Sequence, residues 1–92
     1  MRNNLAEVLL EVRNKTGLHM RAITLFVKQA SRFSCKVTVE KNGEAVDGKS
    51  ITSLMALGAE KGSKLRIVAV GDGAQQVVGK LKKLIDDKFG EK

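Results

Sequence analysis

The sequence contains no proline, tryptophan or tyrosine, and its 92 residues include only three phenylalanines, one cysteine and one histidine. A single cysteine excludes an internal disulfide and is compatible with a reducing compartment. No apolar run approaches the roughly 20 residues that cross a bilayer, and residues 2–13 carry too many charges for the core of a signal peptide. The sequence therefore predicts a cytoplasmic protein without a membrane-inserted segment.

The length of the chain limits what it can enclose. A domain of this size buries roughly 60–65% of the surface of its unfolded chain, so we expect a single domain over residues 1–92 with one modest core. No metal-ligand cluster occurs in the sequence. We therefore expect no metal and no resident cofactor, and any activity should lie at the surface rather than in an enclosed enzyme pocket.

Positive charge dominates the chain, with 17 basic and 10 acidic residues and a formal net charge of +7. Such an excess favours an acidic partner, either a nucleic acid or an acidic protein surface. Proteins that stack on bases usually carry aromatic residues, but here Phe26, Phe33 and Phe89 fall on or beside the apolar faces of predicted helices. The balance favours an acidic protein partner, and a small basic nucleic-acid-binding domain stays as the alternative.

The spacing of apolar residues predicts the element order β-α-β-β-α-β-α. Alternation predicts strands, whereas recurrence every three and four residues predicts helices. The predicted strands lie at about residues 5–12, 35–40, 44–48 and 65–70, and the predicted helices begin near residues 20, 51 and 73. This order is typical of an α+β protein in which helices cover one face of an antiparallel sheet.

Local signals mark where several of these elements begin or turn. Asn42-Gly43 predicts a tight hairpin between the second and third strands, and Ser50 has the character of an N-cap for the second helix. Asp72, with Gln75 three residues later, resembles a capping box at the start of the last helix. The second helix is expected to turn three apolar residues inward, namely Ile51, Leu54 and Met55.

The only histidine, His19, lies in the run Gly17-Leu18-His19-Met20-Arg21, where the strand pattern gives way to the helix pattern. A helix start favours anions because its first backbone N–H groups are free and the helix dipole is positive there. A lone histidine is more often a surface or packed residue than a nucleophile. However, Arg21 is badly placed for the dipole unless an anion binds nearby, so the pair indicates uptake of a phosphoryl group on His19.

Two motifs, Gly17-Leu18-His19-Met20-Arg21 and Gly48-Lys49-Ser50-Ile51, closely resemble the HPr family of the bacterial phosphoenolpyruvate-dependent phosphotransferase system. The resemblance implies an open-faced β-sandwich, in which three helices cover one side of a four-stranded antiparallel sheet. It also implies a phosphocarrier rather than an enzyme. In that function His19 accepts phosphate on Nδ1 from phospho-enzyme I and passes it to an enzyme IIA-type acceptor, while Arg21 steadies the phosphate.

The same resemblance implies regulation and partner docking. Ser50 corresponds to a position that a dedicated HPr kinase/phosphorylase modifies in some lineages, and a phosphate there would repel acidic partners near His19. An apolar docking patch with a basic rim is expected beside His19, although its apolar members could instead be core residues. The docking candidates are Met20, Thr24, Lys28, Lys49, Ile51, Thr52 and Met55.

One position departs from the family pattern, because Ala22 stands where the family usually has proline after the arginine. Ile23 is also bulkier than the small residue common there. Alanine is an excellent helix former, so the helix should begin normally, and the change bears on partner choice and transfer rate. The pathway, sugar uptake or a nitrogen-type regulatory branch, stays open, as does a purely regulatory HPr-like protein without carrier activity. We expect a monomer.

Overall fold

The computed structural model describes residues 4–91. It shows a four-stranded antiparallel sheet that is covered on one face by three α-helices. In chain order the elements are β1 (Leu5–Glu11), α1 (Met20–Ala30), β2 (Lys36–Lys41), β3 (Glu44–Asp47), α2 (Ile51–Leu57), β4 (Lys64–Val70), α3 (Ala74–Asp86) and a short 3₁₀ turn (Lys88–Gly90). The predicted α+β class and element order are confirmed. Residues 1–3 and 92 of the predicted domain lie outside the described residues.

The strands lie in the order β1-β4-β2-β3, so the two chain-terminal strands pair with each other at one side of the sheet. Periodicity along the chain did not reveal this order. Alternate residues of β1, β2 and β4 pack under the helices, among them Leu10, Val39 and Ile67, whereas β3 has no buried residue. The other sheet face is open, which leaves Leu5 and Leu9 exposed.

The hairpin between β2 and β3 turns at Asn42 and Gly43, as predicted. Both residues have positive φ angles, 52° and 84°, which matches the twist of a two-residue turn between antiparallel strands. The register that follows pairs Lys41 with Glu44 and Val39 with Val46. The hairpin therefore follows from local sequence alone.

Helix α1 lies between the other two helices and contacts both. It buries Ala22, Ile23, Phe26 and Ala30. Ala22 is fully buried and α1 begins at Met20, so alanine in the place of the usual proline leaves a regular helix start. Within residues 4–91, no helix is long and apolar enough to cross a membrane.

Two details of the predicted helices are wrong. Ile51 and Met55 in α2 are exposed, because a helix of seven residues offers the core one narrow face, which Leu54 and Leu57 occupy. The capping box at α3 does not form. The N-cap is Gly73, in a left-handed conformation and without a side-chain bond.

The side chains of the predicted capping box instead form hydrogen bonds with residues at the start of strand β1. Asp72 accepts a hydrogen bond from Asn4 over 3.4 Å, and Gln75 donates one to the carbonyl of Leu5, also over 3.4 Å. These contacts with residues far away in the sequence take the place of the local hydrogen bonds that a capping box would form. Of the three phenylalanines, Phe26 and Phe89 are buried in the core, whereas Phe33 is only partly buried and follows the end of α1.

Candidate functional site

The loop between β1 and α1 is held by the loop that precedes β4. The amide of Leu18 donates to the carbonyl of Ala59 over 2.9 Å. Gly17 has a φ of 69°, and a Cβ atom at this position would lie 2.7 Å from that same carbonyl oxygen. Only glycine combines this conformation with so close an approach. The glycine thus fixes the path by which the chain enters α1.

His19 is the N-cap residue of α1, with an extended backbone (φ −92°, ψ 179°), and its side chain makes no capping bond. The first intrahelical bond runs from the amide of Ile23 to the carbonyl of His19, over 2.9 Å. Within residues 4–91, the amides of Met20, Arg21 and Ala22 have no hydrogen-bond acceptor. The first turn also carries no acidic residue, so the helix start can receive an anion.

The imidazole of His19 contacts Glu91, a residue that the sequence analysis did not single out. His19 Nε2 lies 2.8 Å from Glu91 Oε2, and the His19 side chain is 36% exposed. The other carboxylate oxygen, Oε1, accepts hydrogen bonds from Thr16 Oγ1 over 3.0 Å and from Asn14 Nδ2 over 3.3 Å. Glu91 therefore joins the β1–α1 loop to the imidazole.

Arg21 faces the same carboxylate from the first turn of α1. Its Nη1 atom lies 3.1 Å from the carbonyl oxygen of Phe89 and 3.4 Å from Glu91 Oε2. The side chain of Arg21 is still 56% exposed. The structure thus brings His19 and Arg21 together, as predicted, around a carboxylate that the sequence did not reveal.

A left-handed turn brings Glu91 back to the helix start. After α3, residues Lys88, Phe89 and Gly90 all have positive φ angles, between 55° and 77°. Such a conformation at a bulky residue costs on the order of 1–3 kcal/mol. Burial of the Phe89 ring, which is 1% exposed, offsets this cost because a buried aromatic side chain contributes roughly 1.5–3 kcal/mol.

Hydrogen bonds to Glu91 favour its ionised form. The bond from His19 contributes most, followed by those from Asn14 and Thr16, and together they hold the pKa of the carboxyl below its ordinary value, although desolvation acts in the opposite direction. Glu91 is therefore a carboxylate at neutral pH. In this state it only accepts hydrogen bonds.

Ser50 caps α2, as predicted. Its hydroxyl oxygen accepts a hydrogen bond from the amide of Ser53 over 3.2 Å, and its backbone is extended. The hydroxyl also lies 3.2 Å from that of Thr52, one of the predicted docking residues. This capping role is sufficient by itself to explain why a serine stands at position 50.

The remaining docking candidates lie on α1, on α2 and in the turn before α2. Met20, Ile51 and Met55 are exposed by 53%, 37% and 48%, so they contribute apolar surface on two neighbouring helices. Lys28 and Thr24 are exposed on α1. Lys49 is half-buried, and its ammonium group donates to the carbonyl of Phe33 over 2.6 Å, so this cation is tied to the protein.

Comparison with known proteins identifies the class. The family model described as the PTS HPr component phosphorylation site matches residues 6–87. The fold and this match define the HPr family of the phosphotransferase system, whose HPr members are phosphocarriers rather than enzymes. The chain belongs to the HPr family, which confirms the resemblance drawn from its two motifs.

Individual relatives agree with this assignment. The phosphocarrier protein HPr of Pseudomonas aeruginosa is 43% identical over 79 residues, covering 85% of this chain and 88% of that protein. HPr-C-His from Thermoanaerobacter tengcongensis superposes with a TM-score of 0.92 at 44% identity, covering 95% of this chain and 98% of that one. Crh of Bacillus subtilis, whose crystal structure is described as an intertwined dimer with a swapping domain, gives a TM-score of 0.73 at 39% identity, with coverage of 86% and 91%.

Proposed function

We propose that His19 carries a phosphoryl group in the cytoplasm, accepting it from phospho-enzyme I and passing it to an enzyme IIA-type acceptor. The observation that supports this most is the position of the imidazole. It stands at the start of α1, beside three first-turn amides that have no acceptor within residues 4–91, and beside Arg21. These donors would match the charge that the phosphoryl group brings.

The chemistry requires a phosphoryl group that is held but not trapped. Backbone amides and one exposed arginine provide limited stabilisation, because each hydrogen bond to a charged group contributes only about 1.5–3 kcal/mol. A site that bound the phosphoryl group much more tightly would slow its onward transfer. The half-exposed imidazole also leaves room for a donor and an acceptor to approach in turn.

Intact mass after incubation with phosphoenolpyruvate and enzyme I from the same organism tests the proposal. We expect one added phosphate that is acid-labile and absent from His19→Ala, and that leaves the protein when an enzyme IIA-type acceptor is added. Arg32→Ala, which removes an exposed cation just after the end of α1, serves as a control for the loss of one side chain outside the docking candidates. Absence of any added phosphate on the folded wild-type protein would contradict carrier activity.

The relatives include both a phosphocarrier HPr and the HPr-like protein Crh. Their identities to this chain, 43% and 39%, are too close to separate a carrier from a regulator. The presence of a histidine nucleophile at the helix start favours the carrier, because a purely regulatory protein has no need of it. Family membership also favours a protein partner over nucleic acid.

Acceptors identify the pathway. Purified enzyme IIA-type proteins from a sugar branch and from a nitrogen-type branch are added separately to the phosphorylated protein. The acceptor that removes the added phosphate mass faster identifies the branch. We expect transfer to at least one of them. The exposed apolar residues Met20, Ile51 and Met55 are the proposed contact surface, since methionine surfaces adapt to several partners.

Ser50 is a proposed regulatory site. Phosphorylation there would add a charge of about −1.5 to −2 at the start of α2, beside the exposed apolar surface of Ile51. A dedicated HPr kinase/phosphorylase would be the modifying enzyme. An acid-stable phosphate that maps to Ser50 and slows uptake at His19 would support this regulation, whereas a Ser50 phosphate without effect on uptake would contradict it.

We further propose that the protein works as a monomer. Six large apolar side chains are exposed within residues 4–91. Three of them lie on the helices and are assigned to transient docking, and the other three, Leu5, Leu9 and Val70, form only a small apolar area on β1 and β4, which is less than a stable dimer interface requires. Light scattering coupled to size-exclusion chromatography should give a mass near 10.0 kDa. A stable dimer, as described for Crh of Bacillus subtilis, would contradict the proposal.

A further inference from the structure

We propose that Glu91 is a positioning residue that holds His19 in the tautomer with the proton on Nε2. This leaves the Nδ1 lone pair free to attack phosphorus. The inference rests on the proposed function of His19, but the state of the imidazole can be measured without any phosphoryl transfer. It assigns a chemical role to a residue 72 positions away from His19 along the chain.

The chemistry of the two facing groups fixes the direction of their hydrogen bond. The Glu91 carboxylate only accepts, so the ring nitrogen that lies 2.8 Å from it must donate. A neutral imidazole has one N–H and one bare nitrogen. With the proton on Nε2, Nδ1 is the bare nitrogen, and within residues 4–91 no hydrogen-bonding group occupies it. The orienting role resembles that of the carboxylate in a catalytic triad.

The carboxylate is itself held from the opposite side. Asn14 is fully buried and donates to the carbonyl of Gly17 over 2.7 Å, which fixes the direction of its amide group. The same nitrogen atom donates to Glu91 Oε1, as does the hydroxyl of Thr16. The oxygen that faces Asn14 and Thr16 is therefore surrounded by donors, and the other oxygen is directed at His19 and Arg21.

This arrangement supports each part of the transfer step. The Nδ1 lone pair of His19 forms the new N–P bond. At the same time the bond that joins phosphorus to phospho-enzyme I breaks, and the electron pair of that bond stays on the enzyme I atom that carried the phosphoryl group. The proton stays on Nε2, so the ring acquires positive charge as the bond forms. The Glu91 carboxylate stabilises that charge at 2.8 Å.

Replacing the carboxylate with an amide gives the sharpest test. In E91Q the amide oxygen should take the place that faces Asn14 and Thr16, because these two donors lie at 3.3 and 3.0 Å, whereas Arg21 Nη1 on the other side makes a single contact of 3.4 Å. The amide NH₂ group then faces His19 Nε2 and acts as a donor, which requires a bare Nε2 and a proton on Nδ1. E91A removes the contact without imposing either tautomer.

Nitrogen-15 NMR of the imidazole at about pH 8, above the ordinary pKa of histidine, distinguishes the two tautomers directly. We expect the Nε2–H form in the wild-type protein, a mixture in E91A and mainly the Nδ1–H form in E91Q. The single-turnover rate of uptake should fall in both variants, because both lose the carboxylate that stabilises the ring charge. It should fall about five- to tenfold further in E91Q than in E91A, in proportion to the competent tautomer. The KM for enzyme I should stay unchanged.

The order of the two variants separates positioning from space filling. If Glu91 only fills space, the isosteric E91Q should be the milder change. Glu44→Gln, on the exposed β3 strand, makes the same charge change away from the site and should leave both the spectrum and the rate unaltered. Retention of the Nε2–H form in E91Q, or uptake by E91Q at least as fast as by E91A, would overturn the proposal. Failure of the wild-type protein to accept phosphate would instead contradict the proposed function. The NMR spectra would in that case still test whether Glu91 sets the tautomer of His19.

Discussion

The starts of helices α1 and α2 are built differently. At α2, the hydroxyl of Ser50 accepts a hydrogen bond from the amide of Ser53, so the cap side chain satisfies a first-turn donor. At α1, the cap residue is His19, whose side chain turns away to Glu91 and leaves the first-turn amides of α1 without a side-chain acceptor. One helix start is completed internally, whereas the other keeps its donors free.

This difference separates a stabilising role from a functional one. Serine is among the best N-cap residues and histidine is not, and a good cap contributes about 0.5–2 kcal/mol. A cap side chain at α1 would compete with a phosphoryl group for the same amides. The chain thus gives up local stability where the proposed function requires open donors, and keeps it where no transfer occurs.

Giving α1 the cap of α2 should produce the largest effect. In His19→Ser, uptake of acid-labile phosphate should be lost completely, because the nucleophile is gone. The free energy of unfolding should change by less than about 1 kcal/mol, since a new cap offsets the loss of an exposed contact with Glu91. Intact mass and urea denaturation measure the two quantities. Acid-labile phosphate on the variant would show that His19 is not the acceptor.

Removing the arginine beside His19 should have the next largest effect. Arg21→Ala should slow uptake about ten- to hundredfold, because a hydrogen bond to a charged group contributes about 1.5–3 kcal/mol and each 1.4 kcal/mol corresponds to a factor of ten. Rapid-quench single turnovers measure the rate. Arg32→Ala removes an exposed cation just after the same helix, so an equal loss in that variant would assign the effect to net charge rather than to Arg21.

Removing the cap of α2 should affect stability alone. Ser50→Ala should lower the free energy of unfolding by about 1 kcal/mol, because the amide of Ser53 loses its acceptor. The single-turnover rate of uptake on His19 should stay within twofold of wild type, roughly 0.4 kcal/mol in activation free energy. A large loss of rate with unchanged stability would mean that Ser50 belongs to the transfer site.

The smallest expected effect is the loss in acid of the contribution that the Glu91 carboxylate makes to the free energy of unfolding. Its pKa in the folded protein is lowered, so its ionised form adds stability above about pH 4.3, the ordinary glutamate value, and this contribution is lost as pH falls through the folded pKa. The difference in unfolding free energy between wild type and E91Q should therefore shrink in acid, as the pH falls through the folded pKa of Glu91. A difference that grows on acidification would contradict the lowered pKa.

Much of the fold and half of the site could be predicted because their signals are local. The turn at Asn42-Gly43, the cap at Ser50 and the strand-to-helix change at His19 each depend on a few consecutive residues. Element order follows from the same periodicities. The family motifs then added the open-faced β-sandwich, while the strand order β1-β4-β2-β3 was revealed only by the structure.

Glu91, Asn14 and Thr16 were missed because nothing in their own neighbourhood marks them. Glu91 reaches His19 only through the left-handed turn at Lys88–Gly90, and that conformation depends on burial of Phe89 by the rest of the fold. A positive φ at Lys88 and Phe89 contradicts ordinary preferences. Contacts made across the whole chain, and stabilised by tertiary packing, leave no pattern in the sequence near either partner.

NMR of the uniformly nitrogen-15-labelled protein before and after phosphorylation tests the central claim most directly. We expect phosphorus bonded to Nδ1 of His19 and downfield shifts for the amides of Met20, Arg21 and Ala22, because these donors bind the phosphoryl oxygens. The amides of Ile51–Ser53, at the capped start of α2, should stay in place. Unmoved first-turn amides in α1, or a phosphate on any other residue, would contradict the account.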